Sequence, residues 1–129
     1  LATRPATQLS RGETARMQIA RAMARETPVL LADEPTAGLD PAHQVALMRG
    51  LRGLADEGHV VVVALHDLGL AARWCTRLVL LDHGAIAVHG TPGAVLKQKN
   101  LADVFGVRAY LGNAGGGPVV ELLDTVENK

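Results

Sequence analysis

Apolar residues in the first part of the chain recur at helical spacing. Ala15, Ile19, Ala22 and Met23 form one stripe, the pattern of a helix with a single buried face. Just ahead of it, Ser10-Arg11-Gly12-Glu13 has the form of a capping box. Ser10 is placed to accept the Glu13 amide proton, and the Glu13 side chain to reach back, so a helix is predicted to start there. Thr27-Pro28 stops it. The run Val29-Leu30-Leu31-Ala32 follows, uninterrupted by polar residues, and predicts a strand buried on both faces of a parallel sheet. It ends abruptly in Asp33-Glu34. Asp40-Pro41 reads as an N-cap with proline at the first helical position, and Val45, Met48, Leu51 and Leu54 mark that helix's buried side. Gly50 and Gly53 weaken it by about 1 kcal/mol each relative to alanine, and Gly58 ends it.

Val60 to Leu65 is a second β-branched run of the buried-strand kind, ending at His66-Asp67, with a short helix expected through about Trp74. Strand, helix, strand, helix is the βαβ signature of an α/β fold with a parallel sheet. Farther on, Arg77 to Leu81 and Ala85 to His89 predict a hairpin around Asp82-His83-Gly84. Thr91-Pro92 and Asn100 are expected to cap two short helices that end near Gly106. From Val107 to Lys129 the pattern predicts a Gly112-to-Pro118 loop between two short apolar runs, then a polar tail.

Composition narrows the classes. The 129 residues carry 13 basic and 13 acidic side chains, and zero net charge argues against electrostatic binding of nucleic acid, which needs a basic face. The longest unbroken apolar run, Val60 to Leu65, falls far short of the ~20 residues of a membrane-crossing helix. The first residues lack the pattern of a secretion signal. Cys75 is the single cysteine, so no internal disulfide forms and a reducing compartment is expected. Lysine is confined to Lys97, Lys99 and Lys129, which removes any chemistry that needs a lysine early in the chain.

Three features are candidates for chemistry. Asp33 and Glu34 close the first strand, and sites in open α/β sheets lie at the strands' carboxyl ends. An aspartate there suits Mg²⁺ held through its hydration shell, and the glutamate beside it suits the orienting or deprotonation of an attacking water. Two loop-capping acids would read the same way. His66 stands at the equivalent place on the second strand, either as a hydrogen-bond donor to a terminal phosphate oxygen or as a structural histidine. The helix start at Ser10 and Gly12 is either an anion-binding N-terminus or a plain capped helix. Together the three favour a phosphate site.

The same residues spell out a family pattern. Leu9-Ser10-Arg11-Gly12-Glu13, then Pro28-Val29-Leu30-Leu31-Ala32-Asp33-Glu34-Pro35-Thr36-Ala37-Gly38-Leu39-Asp40, then Leu65-His66-Asp67 closely resemble the signature motif, Walker B strand, D-loop and switch histidine of ABC-type ATPases, in the family's order and spacing. The resemblance covers roughly residues 8 to 110, and Asp33 to Asp40 is its most specific part. It implies a P-loop NTPase fold, with parallel strands, flanking helices and a C-terminal hairpin, and it implies ATP and Mg²⁺ as ligands. By resemblance, Asp33 is the Mg²⁺-associated acid, Glu34 the general base, and His66 a contact to the γ-phosphate. Ser10, Arg11, Gly12 and Glu13 would meet ATP held by a second subunit, and Asp40 would bridge the two subunits.

Departures from the pattern matter as much. Where the family usually reads L-S-G-G-Q, this chain has Arg11 in the third place and Glu13 in the fifth. No G-x-x-x-x-G-K-[ST] phosphate loop occurs, and the lysine distribution excludes a hidden one before Lys97. Gln8 stands immediately before the signature, the wrong place for the Q-loop glutamine. Residues 1–129 are therefore expected to form part of an ABC nucleotide-binding domain, from the signature onward, without Walker A or Q-loop. Such a part is expected to expose apolar edges where the P-loop strand belongs, and to bind ATP weakly or not at all alone.

Within the family, Arg77-Leu78-Val79-Leu80-Leu81-Asp82-His83-Gly84, Gly90-Thr91-Pro92 and Asn100 to Val107 resemble the importer ATPases for iron-siderophore complexes, haem and cobalamin. That implies a homodimer on the cytoplasmic face of a bacterial inner membrane, working with transmembrane permease subunits and, indirectly, a solute-binding protein. A non-transport ATPase of DNA repair or chromosome maintenance would be marked by long insertions, zinc-binding cysteines or a preceding coiled coil. A non-hydrolysing regulatory module would be marked by loss of Glu34 or His66, and both are present.

Overall fold

The computed structural model describes residues 29–126, so the helix expected from Ser10 and the polar end of the chain lie outside the described residues. The chain divides into two compact units, Leu1–His66 and Asp67–Lys129.

In the first unit, β1 (Val29–Asp33) and β2 (Val60–Ala64) pair in parallel, with Val29 opposite Val60 and Asp33 opposite Ala64. A Glu34 N–H to Ala64 carbonyl bond of 2.8 Å carries the pairing one step past the strand. Parallel neighbours need a crossover, and here it is α1 (Pro41–Asp56). Asp40 caps α1 by accepting the His43 amide at 2.9 Å, Pro41 occupies the first turn, and Gly58 follows the helix at a φ of 103° that only glycine adopts freely.

Two expectations are corrected in this unit. The buried face of α1 is Leu47, Met48, Leu51 and Leu54, while Val45 is exposed. At about 100° per residue the stripe centres between Leu47 and Leu51, and Val45 falls about 130° away from it. The strands, expected to be buried on both faces, alternate instead: Leu30 and Ala32 are buried, whereas Leu31 is 70% exposed and Val29, Val60 and Val62 are also open. Alternation of side chains across a strand gives a sheet two faces, and this one is covered on one face only. Apolar surface of this kind marks a place where further structure belongs.

The second unit opens with α2 (Leu68–Trp74), capped by Asp67 accepting the Leu70 amide at 3.0 Å. Strands β3 (Leu78–Asp82) and β4 (Ala85–Gly90) form the expected hairpin around His83 and Gly84, both at positive φ, as a two-residue turn between right-twisted strands requires. Next come α3 (Pro92–Val95) and α4 (Gln98–Phe105), the latter stopped by Gly106 in the left-handed conformation. Asn100 is not a cap: it lies inside α4 and its side-chain amide donates to the Val95 carbonyl at 2.8 Å. Lys97 takes the N-cap position instead. Leu78, Leu80, Val95, Leu96, Leu101 and Ala72 make the core of this unit.

The segment expected as a Gly112-to-Pro118 loop is a second antiparallel hairpin, β5 (Val107–Ala114) and β6 (Gly117–Thr125). The turn is only Gly115-Gly116, both at positive φ, and Gly112 and Pro118 belong to the strands. The Tyr110 ring lies over Gly112, where a Cβ would meet the hydroxyl at 2.7 Å. Gln98 braces β5 from α4, accepting the Ala109 amide at 3.0 Å and donating to the Val107 carbonyl at 3.2 Å. Arg73 at the end of α2 donates to the carbonyls of Ala114 and Gly115 at 2.8 and 2.6 Å. A Cβ at Gly117 would meet its Nη1 at 2.7 Å, so glycine there leaves room for the guanidinium.

Candidate functional site

The parallel register of β1 and β2 brings two of the sequence candidates together. Both strands end at the same edge, so the loop after β1 and the loop after β2 rise side by side. Glu34 adopts a φ of 47°, a sparsely populated region for a non-glycine residue and one found often at functional positions. The His66 Nε2 meets the Glu34 Oε1. Their exposures differ in a useful way: the imidazole is 89% exposed and the carboxylate 35%, so the ring remains open to a ligand while the acid is partly shielded. Asp33 is exposed at the same strand end.

The segment after Glu34 is a series of tight turns. Ala37 donates to the Glu34 carbonyl and Leu39 to the Thr36 carbonyl, both at 3.2 Å, with Gly38 at a φ of 79°. Thr36 is buried, and the Gln44 side chain reaches its carbonyl at 3.4 Å, which ties this loop to α1. Asp40 then ends the loop as the N-cap of α1.

Asp40 has a partner that sequence reasoning missed. The His43 ring Nδ1 lies 2.7 Å from Asp40 Oδ1, the same oxygen that accepts the His43 amide. The amide first, and the ring after it, hold the Asp40 carboxyl below its ordinary range. The signal was present in the sequence: His43 stands three residues after the N-cap, the position from which a side chain reaches back in a capping box.

Ser10, Arg11, Gly12 and Glu13 lie outside the described residues. Among the described residues no group of three or more His, Cys, Asp or Glu side chains is gathered as a metal cage. Mg²⁺ is nonetheless suited to a single exposed carboxylate such as Asp33, because it keeps several waters and takes its remaining ligands from phosphate oxygens.

The ABC transporter family model matches residues 1–37. The hemin import ATP-binding protein of Rhodococcus jostii is 49% identical over 105 residues, 81% of this chain and 36% of that protein. The cobalamin import ATP-binding protein of Halobacterium salinarum is 46% identical over 112 residues, 86% of this chain and 28% of that protein. Among solved structures, a metal-chelate type ABC transporter in an inward-facing conformation superposes on 98% of this chain and 51% of its own, with a TM-score of 0.78 and 25% identity. An ATP-binding cassette solved as a dimer with ADP and Pi covers 67% of this chain and 37% of its own, at a TM-score of 0.57 and 36% identity. The chain belongs to the ATP-binding proteins of the ABC transporter family. It spans about a third of the length of the curated relatives it matches.

Proposed function

We propose that this chain supplies the hydrolytic part of the ATP site in an ABC importer ATPase, one that drives uptake of an iron complex, haem or cobalamin. The observation that carries the reading is the contact between the Glu34 carboxylate and the His66 imidazole at the carboxyl edge of a parallel β pair.

The chemistry follows from the two side chains. Glu34 accepts a proton from a water aligned with the γ-phosphorus, the water oxygen bonds to that phosphorus, and the bond to the bridging oxygen breaks to release ADP. His66 donates a hydrogen bond to a γ-phosphate oxygen as charge shifts within the transferring group. Its contact with Glu34 sets the ring's orientation. Mg²⁺, when bound with ATP, would neutralise phosphate charge, and Asp33 would be the carboxylate that holds its waters. The P-loop comes from outside these 129 residues. Ser10, Arg11, Gly12 and Glu13 meet ATP bound to a second subunit, so two subunits close on two nucleotides. Closure moves permease subunits that receive solute from a binding protein, with the ATPase on the cytoplasmic face of the inner membrane. No helix among the described residues is long and apolar enough to cross a membrane, in keeping with a peripheral subunit.

The test uses a P-loop-complete form, this chain with a P-loop-bearing segment ahead of Leu1. Glu34→Gln keeps the shape and removes the base, so turnover falls by about 100-fold or more while ATP stays bound. Turnover near the unsubstituted rate overturns the assignment.

A further inference from the structure

We infer that His43 is a positioning residue for Asp40, fixing that carboxylate for its contact with the second subunit. The inference rests on the proposed role of Asp40 as the bridge between subunits. Two donors of His43 converge on one oxygen: the amide at 2.9 Å and the ring Nδ1 at 2.7 Å both bond Asp40 Oδ1. Oδ2 carries no hydrogen bond among the described residues. A carboxylate only accepts, so the ring donates from Nδ1 and its Nε2 stays available.

An N-cap needs only the amide bond. The ring bond adds a second restraint on the Asp40 side chain, and both residues are half-exposed, at 52% for His43 and 60% for Asp40. An exposed aspartate with one donor samples several side-chain rotamers, and each one lost on binding costs affinity. With Oδ1 held twice, the plane of the carboxylate is fixed and Oδ2 is presented in one orientation. Pro41 and the buried Thr36 anchor the backbone on either side, so the ring acts on a carboxylate whose Cα already has a set place.

The geometry also names the conservative substitution. An asparagine side-chain nitrogen stands at the same bond separation from the backbone as histidine Nδ1, so His43→Asn restores the donor without the ring. His43→Ala removes the donor but keeps the amide cap.

The experiment measures ATP-dependent dimerisation of the P-loop-complete form by sedimentation, with Glu34→Gln in the background to hold ATP. His43→Ala is expected to weaken the dimer by about five- to tenfold with the melting temperature unchanged, and His43→Asn to return it to within about twofold. Steady-state ATPase of the variants without Glu34→Gln falls in kcat and not in apparent nucleotide affinity. A His43→Ala protein that dimerises normally overturns the inference, as does a loss that His43→Asn fails to restore. Asp40→Ser, which retains a cap and removes the second oxygen, separates the two layers: if it weakens the dimer while His43→Ala does not, only the positioning role fails, and if it has no effect the bridging role falls with it.

Discussion

His66 Nε2 and Glu34 Oε1 are in contact although one residue follows β2 and the other follows β1. Parallel pairing with Asp33 opposite Ala64 makes this possible, because both strand ends then stand at one edge of the sheet. The relationship predicts that His66 serves turnover rather than nucleotide capture. In the P-loop-complete form, His66→Ala should lower kcat by about 100- to 1,000-fold, the usual cost of one lost donor to transition-state charge. ATP affinity measured by calorimetry should change little, since phosphate binding rests mainly on the P-loop. A large loss of affinity with turnover intact would reverse the roles.

Acid should loosen the start of α1. The Asp40 carboxyl is held below its ordinary range by the His43 amide and ring. An acid with a depressed folded-state pKa contributes stability that is present above its unfolded value and lost as pH falls through the folded one. The loss therefore begins below about pH 4, where an ordinary aspartate takes up its proton. The protection of the His43 amide, taken as its exchange rate relative to the intrinsic rate at each pH and followed by NMR as pH is lowered, should fall in that range in the native chain. Asp40→Ser should show no such step, because a hydroxyl does not titrate there.

Arg73 should govern the tip of the last hairpin. Its two bonds to the Ala114 and Gly115 carbonyls join α2 to a turn made only of Gly115 and Gly116. Charged donors to carbonyls contribute more than neutral ones. Arg73→Gln should speed hydrogen exchange of the amides from Ala114 to Gly117 by about tenfold, while amides near the fully buried Leu101 remain protected. Unchanged exchange at the turn would show that strand pairing alone holds it.

Much of this was legible in the sequence, and the exceptions have physical causes. Asp40-Pro41 fixed the start of α1 because an N-cap and an N1 proline are local signals, and the His83-Gly84 turn was visible for the same reason. Val45 lies off the buried face because a stripe counted in threes from Val45 through Met48 and Leu51 drifts around the helix. The Gly112-to-Pro118 segment has the composition of a loop because glycine and proline break strands in isolation. Here Tyr110 covers Gly112 and the turn needs only two glycines, and both are tertiary facts. The exposure of Leu31 and Val62 was hidden for a different reason: a continuous apolar run states that a strand can be covered on both faces, without saying which residues do it. At the candidate site, Asp33, Glu34 and His66 announced themselves by standing at strand ends. His43 signals itself only through its place three residues after the N-cap, and its meaning depends on which Asp40 oxygen its ring reaches.

On the proposed function, these 129 residues hold the base and the switch histidine of an ATP site whose P-loop they do not contain. The decisive measurement is calorimetric titration of ATP with Mg²⁺ into this chain and into the P-loop-complete form. Binding is expected from the P-loop-complete form, and no measurable heat of binding from the chain by itself. Tight, saturable binding by the chain alone would reveal a phosphate site within these residues and rule out the division of the ATP site proposed here.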